Sequence, residues 1–357
     1  MSRSLSTTGR RRLLALSAAV TLPLVLVACS SDGGSDSSDD DGGSAGGGES
    51  EAPVEAWEPD QDIEWIVPYS PGGGFDTYSR GVAQVLVEEG YLPDGVDVVI
   101  RNTPPLPQGI TSMFTADPDG YTVGILPMPA AIAQQIQNPD LAQWETEEFT
   151  VLGSVDENAY VVYVPADSDY ESVDDLIGAT GLRSITVEEG SSSALATAAT
   201  IEALGLDATV TYGAEGSSEV VAAALRGDAD FFVYGATDVV GFIDSGDVRP
   251  LLFLGTEDQR SSELEWLADV PGAADAGYPD LEGVVTELRL IVAPPNLPEE
   301  VATYLRDTMF EALSSDAFAA WAETAERPIV PRDWEAATGV MLDQVEQMKV
   351  LVPQLSS

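Results

Sequence analysis

Between Asp62 and Met348, short apolar runs alternate with stretches of helical periodicity, and that alternation narrows the folds open to the chain. Ile63–Tyr69, Val96–Arg101, Thr122–Leu126, Tyr160–Val164, Ser184–Val187, Thr209–Tyr212, Ala229–Val233, Arg249–Leu254 and Leu288–Ala293 read as strands. Thr77–Glu89, Gly109–Ala116, Val173–Leu176, Ser193–Leu204, Ser218–Arg226 and Ala236–Asp244 read as helices between them. Three more, Pro298–Ser314, Ser315–Ala325 and Pro331–Met348, end the chain. Strands separated by helices predict an α/β fold with mostly parallel sheets. A folded part of roughly 295 residues exceeds the usual single-domain size, so two domains are expected.

In such folds a ligand sits beyond the carboxyl end of a strand, where the chain turns into a helix. The stretch "IVPYSPGGGFDTYSRGVAQVL", Ile66–Leu86, makes that handover through three glycines. It lacks the lysine and spacing of a mononucleotide P-loop, and it is not the G-x-G-x-x-G of a dinucleotide site. Successive amides at a helix start can instead converge on a small anion, and a carboxylate fits. Asp76 or Thr77 is the expected helix cap. If Gly73 takes positive φ, a β-branched residue there would block the turn. A second small-residue turn, Gly190, Ser191, Ser192 and Ser193, lies between a strand and a helix, and a third places Tyr212, Gly213 and Ala214 after a strand. Any one of these serines is also explained as a helix cap; two such turns in separate domains could close over one ligand.

The first 29 residues carry Arg10, Arg11 and Arg12 ahead of an apolar run, Leu13–Val27, shorter than the ~20 residues of a spanning helix. They read as an export signal, and "LVAC" ending at Cys29 looks like the site where lipoproteins are acylated and cleaved. Residues 30–61, rich in Gly, Ser and acid, read as a disordered tether. Four of the 15 basic residues lie before Cys29 and none of the 61 acids does, which leaves 11 bases against 61 acids, a net charge of −50. That charge disfavours a nucleic-acid or acidic-membrane partner and suggests a surface suited to high ionic strength. No calcium-binding D-x-[DN]-x-[DN]-G loop is present. Without histidine, and with Cys29 the only cysteine, His-based triads, cysteine nucleophiles and most zinc sites are excluded. No cofactor or metal is expected. No G-x-S-x-G elbow appears, though a Ser–Asp or paired-carboxylate hydrolase stays open on residues alone.

Four segments resemble the substrate-binding proteins of tripartite tricarboxylate transporters, the TctC or Bug family: the glycine turn; "ADPDGYTVGIL", Ala116–Leu126; "VTYGAEGSSEVVAAALRGDADFFVYG"; and "LIVAPPNLPEEVATYLRDTMFEAL". The resemblance covers about Asp62–Met348. It implies a two-lobed periplasmic-binding-protein-like fold of type II, with lobe 1 at 62–158 and 250–357, lobe 2 at 159–249, and a ligand cleft between them. Family ligands are mostly di- and tricarboxylates, with some amino acids and aromatic acids, handed to a large and a small membrane subunit. Carried onto this chain, the binding residues would be Ser70, Gly72, Gly73, Gly74, Phe75, Asp76, Thr77, Asn102, Gly190, Ser191, Ser192, Ser193, Tyr212, Gly213 and Ala214, in a monomer anchored outside the cell membrane through Cys29. A ligand-presenting partner of a sensor is the alternative. One departure is "IRNTPPLPQGIT", Ile100–Thr111, where Pro104, Pro105 and Pro107 replace glycines and remove amide donors. Another is Glu188 and Glu189, which sit oddly beside an anion unless they point outward or one meets an amino group.

Overall fold

The structure, a computed structural model, describes residues 57–260 and 264–355. Cys29 and most of the expected tether lie outside the described residues. The chain opens with β1 (Ile63–Val67), α1 (Gly74–Glu88), β2 (Val98–Asn102), α2 (Leu106–Phe114), β3 (Thr122–Met128) and α3 (Ala130–Gln137). β1 pairs parallel with β2 and with β3, as right-handed strand–helix–strand units require. α1 forms because Tyr78, Val82, Val85 and Leu86 recur at helical spacing and bury against Trp65 and Val67 of β1.

β4 (Thr150–Pro165) is the joint of the molecule. It is 16 residues long, far beyond the usual five or six. Thr150–Ala159 pair antiparallel with β9 (Thr286–Ala293), while Tyr160–Pro165 pair with β7 (Phe232–Gly235) and β8 (Val248–Phe253). One strand thus belongs to two sheet regions, in the order β2-β1-β3-β9-β4-β7, with β8 also on β4. Beyond it come α4 (Val173–Gly178), β5 (Leu182–Ile185), α5 (Ser192–Leu204), β6 (Ala208–Thr211) and α6 (Ser217–Leu225). β5 and β6 pair parallel, and an isolated bridge from Ser184 to Phe231 leads from them toward β7. α7 (Val240–Asp244) precedes β8. After β9 the chain ends in α8 (Glu299–Leu313), α9 (Asp316–Ala325) and α10 (Trp334–Leu355).

The expectation of mostly parallel sheets is corrected here. Every pairing made by β4 and β9 is antiparallel: β9 runs against β3 and the first half of β4, and the second half of β4 runs against β7 and β8. The sequence reading also placed only the second half of β4 and missed α3, an eight-residue helix squeezed between Pro129 and Asn138. The helix expected at Ala236–Asp244 divides into a 3-10 turn, Ala236–Asp238, and α7. β8 pairs with the far half of β4, so the expected return to the first lobe at residue 250 falls inside a strand.

Candidate functional site

The glycine turn leaves β1 and enters α1 without a side-chain cap. Gly73 is the N-cap residue, and neither Asp76 nor Thr77 caps the helix as expected. Asp76 instead reaches back and accepts the N–H of Gly72 at 2.9 Å. It also accepts both arms of Arg80, at 2.9 and 3.0 Å, and Asn102 Nδ2 at 3.0 Å. Asn102 Nδ2 in addition donates to the carbonyl of Tyr69, and the Thr77 hydroxyl donates to the carbonyl of Gly73. Burial raises the Asp76 pKa, but donation by Arg80, Gly72 and Asn102 outweighs it, so the group is held below the usual carboxylate range. These residues tie the turn from behind and do not line the cleft. The residue that needs positive φ is Gly72, at +91°, whereas Gly73 sits at −79° with open space where a side chain would start. The expected strain at Gly73 is therefore absent.

With the turn fixed, the N–H groups of Gly73, Gly74 and Phe75 have no acceptor among the described residues, as the first turn of any helix dictates. They face two more helix starts. α5 begins after Ser191, whose Oγ accepts the N–H of Ala194 at 3.2 Å. Ser193 Oγ is 2.8 Å from Thr186 Oγ1, while Ser192 Oγ is buried without a hydrogen-bond partner. α6 begins after Gly216, where an added Cβ would lie 3.9 Å from the Cα of Gly73. Tyr69, Gly73, Gly74, Phe75, Val187, Ser191, Ser192, Ser193, Glu215, Gly216, Tyr234 and Glu287 enclose a cleft of about 40 Å³. None of these lining residues is a lysine, arginine or histidine.

The remaining sequence-expected residues lie elsewhere. Ser70, Gly72, Asp76, Thr77 and Asn102 do not line the cleft. Gly190 and Tyr212 line an outer groove with Gln134 and Ala194. Gly213 donates to the carbonyl of Val187, and Ala214 packs into the core against Val220 and Val221. The proline loop becomes the entry to α2, with Pro105 as its N-cap residue, and does not line the cleft. Glu188 hydrogen-bonds the backbone of Leu106 at that entry, and Gln134 donates to the carbonyl of Glu189, so neither acid lines the cleft.

Beneath the glycine turn lies a charge cluster that the sequence reading missed. Arg289, in the middle of β9, pairs with Asp156 of β4, with Asp238 at 2.9 Å and with Glu287 at 2.6 Å. Its guanidinium stacks 4.9 Å from the Phe75 ring centroid and 4.8 Å from that of Tyr78. Asn158 Nδ2 donates to Asp238, the Tyr160 hydroxyl donates to Glu287 Oε2, and Arg327 approaches Asp238 Oδ1 at 3.4 Å. A Cβ on Gly74 would come within 2.3 Å of Asp238 Oδ1, so only glycine lets α1 begin against this cluster. Burial pushes the Asp156 carboxyl up to about 6 and the Glu287 carboxyl up to about 7, against the pull of Arg289. The missed signal was Glu287 and Arg289, two charges on one face of an otherwise apolar strand.

Mixed sheets joined through β4, with helix starts converging on a cleft at the joint, give the chain the build of a two-lobed binding protein. The sequence profile of the Tripartite tricarboxylate transporter family receptor, TctC, matches residues 91–356, and the chain belongs to that family. BugT of Bordetella pertussis is 26% identical over 315 residues, which cover 83% of this chain and 90% of BugT. The periplasmic binding protein BugD superposes with a TM-score of 0.71 at 20% identity, over 84% of this chain and 98% of BugD. MatC of Rhodopseudomonas palustris, solved with malate, gives 0.71 at 20% identity over 82% and 99% of the two chains. A second R. palustris protein, solved with adipate, gives 0.71 at 19% identity over 84% and 98%. The two-lobed α/β expectation thus holds for the fold.

Proposed function

We propose that the protein captures a small organic carboxylate in the cleft between α1, α5 and α6 and delivers it to the membrane subunits of a tripartite tricarboxylate-type transporter. The observation that carries this reading is the convergence of three helix N-termini with unpaired amides at Gly73–Phe75, Ser192–Ser193 and Ser217 on one enclosed space. Each helix start carries about half a positive charge, so together they replace the cationic side chain that the cleft lacks. The malate and adipate bound by the R. palustris relatives are of the same chemical class. The binding residues we assign are Gly73, Gly74, Phe75, Ser191, Ser192, Ser193 and Gly216, with Asp76, Thr77 and Asn102 holding the turn. We take the lobes to meet where β4 exchanges β9 for β7, at Ala159–Tyr160, with the return crossing near Thr286, a reading that the strand pairings support.

Calorimetry on ligand-stripped protein in high salt tests the reading. A carboxylate panel is expected to contain a saturable ligand that a neutral sugar panel lacks. Gly73→Val keeps an allowed backbone but fills the cleft, and overpacking of ~1–3 kcal/mol predicts affinity weaker by roughly 5- to 150-fold with the fold retained. Sugar binding, or carboxylate binding unchanged in the variant, would contradict the assignment.

The same proposal includes the anchor. Acylated Cys29 and a tether over residues 30–61 would hold the domain at the outer face of the cytoplasmic membrane, since two acyl chains suffice for stable attachment. Cys29→Ser is expected to release the protein into the soluble fraction. A variant that stays membrane-bound and is still processed at the same bond overturns the anchor.

A further inference from the structure

The cleft holds an acidic wall that a simple anion would avoid. The carboxylates lining it are Glu287 and, just ahead of the start of α6, Glu215, and none of the described lining residues is cationic. Glu287 is 8% exposed, and its Oε1 makes no hydrogen bond, although Arg289 lies 2.6 Å away. Ser192, across the space, is 1% exposed with its hydroxyl equally unpaired. The cluster behind Glu287 has three carboxylates, Asp156, Asp238 and Glu287, against two guanidinium groups, Arg289 and Arg327. Fully ionised, it lacks one positive charge. A second ligand carboxylate would meet Glu287, whose one cationic neighbour, Arg289, is already shared with Asp156 and Asp238. An ammonium would supply both the missing charge and a donor for Oε1.

We infer that the ligand is an amino-carboxylate, its carboxylate on the amides of α1, α5 and α6 and its ammonium on Glu287, which selects against dicarboxylates lacking the amine. This rests on the carboxylate reading above and narrows it. The groups that face Glu287 are Arg289 on its own strand, Asp156 and Tyr160 from β4, Asp238 from the 3-10 turn, and the phenols of Tyr69 and Tyr234. Burial first, then neighbouring carboxylates, raises both phenols, so they stay neutral near pH 7. The group that titrates there is Glu287, at about 7. An ammonium requires Glu287 ionised, so binding should release a proton, and affinity should rise from pH 6 to pH 8. A second carboxylate would demand the opposite, proton uptake and tighter binding in acid.

The experiment is calorimetry of the ligand-stripped protein against the twenty amino acids and their desamino counterparts, such as aspartate with succinate and glutamate with glutarate. Titrations at pH 6.5, where a carboxyl titrating at about 7 still holds most of its proton, in buffers of different ionisation enthalpy give the protons exchanged. The expected result is one pair or more in which the amino member binds at least tenfold more tightly, with net proton release. Glu287→Gln, which keeps shape and an oxygen for Arg289, should reduce that preference to threefold or less while the desamino member binds no more weakly. The wild-type proton count stands even if this variant fails to fold. Desamino members that bind as tightly as their partners, or proton uptake on binding, overturn the inference and leave the carboxylate reading intact. Failure of every carboxylate to bind overturns both.

Discussion

Replacing Arg289 with methionine is expected to destabilise the folded protein by about 3–5 kcal/mol, the usual consequence of removing one partner from a buried ion pair. Asp156, Asp238 and Glu287 would then share the interior of β4 and β9 without their common cation, and the stacking on Phe75 and Tyr78 would be lost. The loss should depend on pH. Burial holds Asp156 at about 6 and Glu287 at about 7, both above their unfolded values of 3.8 and 4.5. Between about pH 4 and 7 the native state therefore holds protons that the unfolded chain releases, and their contribution to stability falls as pH rises through that window. Without Arg289 both groups rise further, so the deficit should be larger at pH 8 than at pH 5. Denaturant unfolding at both pH values, in high salt, measures it. A loss under 1 kcal/mol, or one independent of pH, would show that the cluster is not the electrostatic keystone of the joint.

The second large effect is salt. Every basic residue downstream of Cys29 except Arg249 is in an ion pair among the described residues, and Arg249 donates to the carbonyls of Ala166 and Tyr170. No cation is left to neutralise the remaining acids, so their mutual repulsion must be screened by the solvent. We propose a surface adapted to brine. Screening shortens to about 3 Å at 1 M salt, and relief of a few kcal/mol corresponds to roughly 5–15 °C in Tm. Calorimetric scans from 0.1 M to 2 M should show that rise, with potassium chloride as effective as sodium chloride. A flat response would remove the basis of the proposal.

The alternation of apolar runs and helical periods was enough to place nearly every element, because each strand or helix carries its own buried face. What it could not show was the pairing. Asp156 and Asn158 interrupt the first half of β4 with polar groups that read as loop; Arg289 on the facing strand pairs with the first, and Asp238 and the Thr237 N–H engage the second. The glycine turn was legible as a handover from strand to helix. Which amides stay unpaired was not, because that depends on Asp76 folding back to Gly72, a contact set by Arg80 and Asn102. The third turn was legible as a break between strand and helix, but not which of its residues approaches the glycine turn. Tyr212 and Ala214 look like the anchors of the segment, yet Gly216 is the residue that comes up against Gly73. Glu287 escaped because nothing local distinguishes it among 61 acids.

A structure of the protein with the ligand that copurifies is the most direct test. A carboxylate of that ligand is predicted to lie ~2.7–3.2 Å from the amides of Gly74 or Phe75 and of Ser192 or Ser193. A ligand seated instead in the outer groove of Gln134, Gly190 and Tyr212, with the first turn of α1 left to solvent, would contradict the account.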